Sequence, residues 1–529
     1  MEPLTVGSKR VIAALYALSL LTFGTQSLLA DPPDTVYAQS GGPASRSGLV
    51  LSAGSTDRSA VVVTNGGIFA LTNSTVTTTG NTTSQDSSSF YGLNAGVLAS
   101  GGSTVTLTWC TVTTTGTGAN GIFSTGTGTT VILAGDTITC SGQGGHGVDA
   151  TLSGTLALTD VVISTSEAHG AAIATDRGGG TITITRGSAA AAGQDSPGIY
   201  STGSITAADA VIAATGAEAA VIEGANSITL SNTTLSGAKG TRDRCVMIYQ
   251  SMSGDAQGTE GVFTMTGGSL TWPSTSGPVF YVTNSTGVIT LKHVAISGSS
   301  PILVKAAADQ WGTSGRNGGT VILTADSELL AGNLVCDAIS AISLTLKNSS
   351  SLTGSVDSAS LALDGGSTWT VTATSHVTAF SDPSGISGGM VANVTGNGHT
   401  VFYNAALAAN TPLGGKTFQL LNGGSLAPES VSSVHSTEPG APANFSLAQN
   451  YPNPCNPAAI IRYGLPARAR VTLSVYNLLG QLIGTLVRET EDAGFHEAAF
   501  DGTGLPSGVY FYRLEAGGFV QAKRLILTR

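Results

Sequence analysis

The stretch NAGVLASGGSTVTLTWCTVTTTG, residues 94–116, holds three short segments in which aliphatic side chains alternate with small or hydroxyl-bearing ones, separated by glycine or polar residues. Alternation with a period of two puts the aliphatic set on one face of an extended strand and the hydroxyls on the other. The unit then repeats. Its first segment, Gly96-Val97-Leu98-Ala99, recurs as Gly121-Ile122-Phe123-Ser124, Gly147-Val148-Asp149-Ala150, Ala171-Ala172-Ile173-Ala174, Gly198-Ile199-Tyr200-Ser201 and Ala220-Val221-Ile222-Glu223. Between these lie paired segments such as GTTVILA and DTITCSG (128–142) or NSITLS and NTTLSGA (226–237), with looser copies down to STWTVTATSHVTAF (367–380).

Three short strands per unit, a period of about 24 residues and no helical periodicity predict an all-β chain whose passenger, 48–424, is a long parallel β-helix. Val, Ile and Leu fill its interior, Thr and Ser face water, and glycines make the tight corners. Roughly 15 coils at ~4.8 Å each give a rod on the order of 70 Å. An array of sandwiches would need Asn-Gly or Asp-Gly hairpin turns, and these are scarce.

Composition agrees. Of 529 residues 71 are Gly, only 10% are charged, and 41% are hydrophobic. A disordered chain has the opposite balance, low hydrophobicity and high charge. The net charge of −10 argues against a nucleic-acid partner, which asks for a basic footprint. Five cysteines lie at wide spacings with no CxxC pair. Stacking Thr111-Val112-Thr113 on Thr137-Ile138-Thr139 leaves Cys110 and Cys140 about 13 Å apart, too far for a disulfide.

Both ends carry addresses. Lys9-Arg10, the apolar run Val11–Phe23 and a small residue ahead of Asp31-Pro32-Pro33 make residues 1–30 a secretory signal peptide cut after Ala30. The apolar run is too short for a membrane span, so no transmembrane helix is expected in the mature chain. Residues 31–47 read as an N-terminal linker or cap, and 425–444 (SLAPESVSSVHSTEPGAPAN) as a linker. Beyond it the charge reverses, with 8 Lys+Arg against 6 Asp+Glu in 444–529. Six evenly spaced alternating segments there, 458–465, 470–478, 481–487, 495–501, 508–516 and 519–528, predict a small immunoglobulin-like β-sandwich.

A β-helix enzyme needs carboxylates gathered on one strand face. Asp176 and Glu223, with Gln250, each fall just after the first strand of their coils. They are the catalytic candidates, two coils or about 10 Å apart, a separation that accommodates an inverting pair. Asp176-Arg177 ahead of three glycines reads better as a corner brace, so no enzyme is expected and no cofactor is called for. His146 and His169 lie one coil apart without a third ligand nearby, so a solvated corner pair is expected rather than a metal site. Paired threonines at 75/77, 111/113 and 137/139 give a flat hydroxyl face that fades by Ala189-Ala190-Ala191. The third positions of the recurring segment, Leu98, Phe123, Asp149, Ile173, Tyr200 and Ile222, read as an outward, mostly apolar ladder of the kind that marks binding when exposed; cover by a loop such as Asn81–Ser89 or by the N-terminal segment is expected instead.

Two resemblances extend this reading. NAGVLASGGSTVTLTWCTVTTTG, HGAAIATDRGGGTITIT (169–185), IYQSMSGDAQGTEGVFTMTGGSLT (248–271) and AAADQWGTSGRNGGTVILT (306–324) resemble bacterial secreted, adhesin-like β-helical repeat proteins. That resemblance covers most of 50–425 and implies the fold and a right-handed coil but hardly an activity. The two addresses, the polar repeat and the lack of a convincing chemical cluster lead us to expect an adhesive or structural rod, with a glycan or cell-surface ligand as partner. A polysaccharide lyase or hydrolase is the alternative.

FSLAQNYPNPCNPAAIIRYGLP (445–466), VTLSVYNLLGQLIGTLV (471–487), GLPSGVYFYRLEAGGF (504–519) and AKRLILTR (522–529) are similar to the type A C-terminal sorting domain of the type IX secretion system. The match spans 445–529. Its marks are Tyr451, Pro452, Asn453 and Pro454, then Leu505, Pro506, Ser507, Gly508, Val509 and Tyr510, then the basic Lys523 and Arg524. The resemblance implies recognition by the translocon of Bacteroidetes and relatives, outer-membrane export, and removal by a surface sortase, often with transfer to anionic lipopolysaccharide. Cys455 departs from the family, which usually has Phe there.

Overall fold

The computed structural model describes residues 34–429 and 445–528, apart from 449, 451, 452, 454, 456 and 479. The Ala30 cleavage point therefore lies outside the described residues. The chain divides into two units, Met1–Glu429 and Ser430–Arg529.

In the first unit all strands from Tyr37–Ser40 to Ser425–Pro428 belong to one hydrogen-bonded system, and nearly every strand pairs in parallel with its copy one coil on. The first strands stack Val97 on Ile122, Ile122 on Val148, Val148 on Ile173 and Ile173 on Ile199. The second strands stack Val105, Val131, Leu156 and Ile182 in the same way. All of these side chains have no accessible surface. The parallel β-helix follows directly from the period-two pattern, because each inward residue meets its own kind one turn away.

The rod starts earlier and ends later than the 48–424 bounds. Tyr37–Ser40 already pairs with Val61–Thr64, and Pro43–Ser47 with Ile68–Thr72, so the cap expected at 31–47 forms the first coil. Ser425–Pro428, assigned above to the linker, pairs in parallel with Thr400–Tyr403. Near this end the ladder slips register and two antiparallel pairs appear, Ile386–Ser387 with Met390–Thr395 and Phe418–Leu421 with Ser425–Pro428.

Between the second and third strands the corner takes a left-handed conformation at Gly48, Asn73, Trp109, Gly135, Asp160, Arg186 and onward to Asn348, with φ from 47° to 69° in those named. For a residue with a Cβ this conformation costs roughly 1–2 kcal/mol, which the stacked hydrogen bonds on either side must outweigh. The next residue turns inward. Three of these residues accept a backbone N–H from the preceding coil: Leu49 N–H to Ser74 Oγ (3.0 Å), Cys110 N–H to Asp136 Oδ1 (2.6 Å), Val294 N–H to Glu328 Oε1 (2.8 Å). Burial pushes the carboxyls of Asp136 and Glu328 up to about 6. All five cysteines are free, in line with the out-of-step stacking of Cys110 and Cys140.

The second unit is a two-sheet sandwich. Ser446–Leu447, Ala458–Leu465 and Gly494–Asp501 form one antiparallel sheet; Leu482–Glu491, Ala469–Asn477, Gly508–Ala516 and Phe519–Leu527 form the other. Ile461, Tyr463 and Phe500 from the first sheet meet Leu473, Tyr512 and Leu514 from the second in a common core. No described helix is long and apolar enough to cross a membrane.

Candidate functional site

The outward face of the first strands is where chemistry-bearing side chains gather. Its ladder runs Leu98, Phe123, Asp149, Ala174, Tyr200, Val221, Met247, Tyr281, Lys305. Two members of the expected ladder change places. Ile173 stacks on Val148, and Ile222 on Ser201, so both face the core with no exposed surface. The outward positions in those coils are Ala174 and Val221.

The face is covered, as expected. Residues 85–91 form a helix, Gln85–Tyr91, started by the Ser84 side chain accepting the Ser87 N–H and stopped by Gly92 in the left-handed conformation. It lies across several coils: Gln85 Nε2 donates to Gly144 O (2.9 Å), Asn120 Nδ2 to Ser88 O (3.1 Å) and Thr151 Oγ1 to Phe90 O (3.0 Å). Phe123 is fully buried beneath the end of this helix, at Gly92. Farther along, the segment after Ala307 folds over the same face. There Tyr281 and Arg244 donate to Asp309 (both 3.0 Å), and Trp311 packs on Tyr249 with ring centroids 4.8 Å apart. Arg244 also stacks over Tyr281 and Trp311 and pairs with the buried Glu218.

Under this cover the structure brings together residues that the sequence reading kept apart. One ring nitrogen of His146 and carboxylate oxygens of Asp149 and Asp176 all lie within 4.8 Å of one another. Asp149 has no exposed surface and neither oxygen has a hydrogen-bond partner. Burial, followed by the charge of Asp176, raises its pKa well above the usual carboxylate range, so its stable form is the neutral acid. Burial also pushes Asp176 up to about 7, with Asp255 and Glu223 adding to the rise.

The imidazole does not supply a metal ligand here. The Ala171 N–H donates to His146 Nδ1 at 3.0 Å, which occupies the one lone pair of the neutral ring and leaves the proton on Nε2. Burial holds that ring neutral, down to about 4. The expectation of a solvated histidine pair is corrected for His146, which sits against two carboxyls; His169 is exposed, at a left-handed corner.

Asp176 and Glu223 fall on one ridge two coils apart, as the spacing predicts, because Thr175 stacks on Ser201 and Ser201 on Ile222. Their roles differ. The Asp176 carboxylate accepts the Arg177 N–H (2.8 Å) and braces the corner, and the Arg177 guanidinium lies 4.7 Å over the Phe90 ring. Glu223 is 2% exposed. Its Oε2 accepts from Tyr200 (2.5 Å) and Tyr249 (2.7 Å), and its Oε1 accepts from Ser251. Gln250 fastens the following loop from inside, donating to Ala256 O (3.2 Å) and Gly258 O (2.7 Å). Glu223 and Gln250 thus hold residues 251–258 in place.

Of the marks on the sorting unit, Tyr451, Pro452 and Pro454 lie outside the described residues. Asn453 is described and clamps the last strand: its Oδ1 accepts the Ile526 N–H (2.8 Å) and its Nδ2 donates to Arg524 O (3.3 Å). Cys455 continues that pairing through its backbone, from its N–H to Ile526 O and from Thr528 N–H to its carbonyl, and its side chain is fully buried. Tyr510 OH donates to Pro506 O (2.9 Å), tying the Leu505–Gly508 turn to the strand that carries Tyr510.

Residues 449–528 match the family described as the Secretion system C-terminal sorting domain. The tail is a type IX sorting domain. It directs the chain to the cell surface or the medium and implies an encounter with the type IX secretion machinery. No curated protein and no solved structure matches the chain.

Proposed function

We propose that the exported β-helix works by contact, as an adhesive or structural rod whose partner is a glycan or other cell-surface ligand. The observation that carries this reading is the use of the ridge carboxylates inside the protein. Glu223 spends both oxygens on hydroxyls, and Asp149 is sealed beneath the cover. A general acid or base must reach the reacting atoms, and these two do not reach the surface. The sorting unit then serves as an address recognised by the translocon and removed by a surface sortase, with transfer of the rod to lipopolysaccharide or release.

A second reading, a carbohydrate-active enzyme, draws on Asp176 alone, a half-buried carboxyl poised near neutral pH where general acids operate. One assay separates them. The mature protein is incubated with a panel of polysaccharides and released reducing ends or unsaturated products are measured. Contact alone gives binding without products; product release abolished by Asp176→Ala establishes the enzyme instead.

A further inference from the structure

Where the first strand of each coil turns into the second, the corners at Ser153, Gly179, Gly203 and Asn226 are short, whereas the next coil inserts the loop 251–258. The result is a notch along the rod. Two hollows of about 550 and 710 Å³ adjoin there and share Gly179, Ala225 and Asn226. From Ser153 to Glu260 the notch crosses four coil steps, about 19 Å at ~4.8 Å per step.

We propose that this notch is the binding site for an extended, neutral polysaccharide lying along the coil axis. The inference rests on the contact reading above and names its ligand and its place.

At the corner glycines the floor is bare backbone and has to be. A Cβ on Gly179 would stand 2.9 Å from Thr202 O, and one on Gly203 2.3 Å from Gly180 O. At these glycines a sugar ring can approach the main chain closely, beside the hydroxyls of Thr181, Ser204 and Ser227 that line the rest of the floor. The walls carry polar groups with hydrogen-bonding capacity left over, the Arg177 guanidinium being engaged only with the Phe90 ring. Among the described residues the side chains of Arg177, Asp255, Gln257 and Glu260 make no hydrogen bond or ion pair, and Asn226 uses only its Nδ2, on Glu223 O. Sugar hydroxyls both donate and accept, and this set offers both: guanidinium and amide N–H groups facing carboxylate and amide oxygens.

The wall is also held in advance. Ala225 N–H donates to Gln257 O (2.7 Å), Gln250 grips Ala256 and Gly258, and Glu223 receives Ser251. A loop fixed before the ligand arrives loses little entropy on binding. The other ligand classes fit poorly. A polyanion meets Asp255 and Glu260 on an acidic chain, and a peptide finds no apolar pockets for its side chains.

The test is calorimetric titration of the full-length mature protein with cello-, laminari-, xylo- and mannohexaose, with polygalacturonate as the anionic probe. At least one neutral hexaose binds saturably, the double variant Asp255→Ala/Gln257→Ala weakens it tenfold or more, and Thr111→Ala on another face leaves it unchanged. Because neither Asp255 nor Gln257 makes a side-chain hydrogen bond or ion pair, and removing Asp255 only relieves its repulsion of Asp176, the double variant should melt no lower than the parent. Equal binding by the double variant overturns the notch as the site and leaves the contact reading standing. Preference for polygalacturonate overturns the neutral ligand. Adhesion to cells with no glycan bound overturns the inference but not the contact reading, whereas product release overturns that reading itself.

Discussion

The Tyr249 hydroxyl donates to Glu223 Oε2 at 2.7 Å from one coil away, and Tyr200, one coil away on the other side, donates to the same oxygen. A carboxylate with 2% exposure is thereby satisfied by hydroxyls rather than by a cation. Glu223→Ala strands these donors, at roughly 1 kcal/mol or more for each buried group left unsatisfied. The expected loss is about 3 kcal/mol in urea unfolding. Because Ser251 is also released, limited proteolysis should cut between 251 and 258 in the variant and not in the parent. Unchanged cutting would mean that Gln250 alone fixes the loop.

Asp136 and Glu328 make the rod's stability depend on pH. Both are inward corner residues whose folded pKa is raised by burial to about 6, from ordinary values of 3.8 and 4.5. A carboxyl raised in the folded state contributes stability that is fully present below its unfolded pKa and is lost as pH rises through the folded one. Thermal midpoints should therefore fall from about pH 4 upward, and Asp176, at about 7, with Asp149, raised further, carries the decline beyond neutral pH. Asp136 alone accounts for at most about 3 kcal/mol at neutral pH. Asp136→Asn, which keeps an acceptor for Cys110 N–H, should flatten the profile between about pH 4 and 6. A profile as steep in the variant would assign the dependence elsewhere.

The left-handed corners give a pair of opposite expectations. Gly135 has φ 69° and a Cβ there would come within 2.4 Å of the Trp109 ring, so Gly135→Val combines a strained backbone with a clash and should cost about 2 kcal/mol or more. His293 holds the same conformation at φ 55° with a Cβ already present. His293→Gly removes that strain while loosening the unfolded chain, for a net change within about 1 kcal/mol of zero. Chemical denaturation of the two variants checks the contrast.

The β-helix and the sandwich were legible because period-two alternation survives in nearly every strand. Segments such as Thr104–Thr108 and Gly508–Ala516 announce both their faces and their ends. Phase failed where size contrast vanished. In Ala171-Ala172-Ile173-Ala174 three alanines fit any position, so the reading slipped by one and sent Ile173 outward instead of onto Val148. The helix Gln85–Tyr91 is too short for a 3.6 period to show, and only Ser84 and Gly92 signal its ends. The cluster of His146, Asp149 and Asp176 was missed because a corner, a strand and the next coil's corner supply one residue each. His146 and Asp149, three apart across a strand entry, were the available signal, and it becomes visible only once the coil register is fixed.

Asn453 supplies the last prediction. It lies among the motif marks of the sorting domain, yet within the unit its amide does structural work, receiving Ile526 N–H and donating to Arg524 O on the final strand. Removing residues 445–529 should leave the rod inside the outer membrane, and fusing them to an unrelated secreted protein should carry that protein out. Asn453→Ala separates two ways the motif can act. If Asn453 serves by clamping the basic last strand, the variant unit should unfold about 1–2 kcal/mol more easily, and export should fall in proportion to the folded fraction. Asn453→Asp keeps the Oδ1 acceptor for Ile526 N–H and should recover most of both. Immunoblots of medium, surface and periplasmic fractions, read beside the melting of the purified unit, decide the matter: lost export from a unit of unchanged stability would make Asn453 a contact for the translocon rather than a clamp.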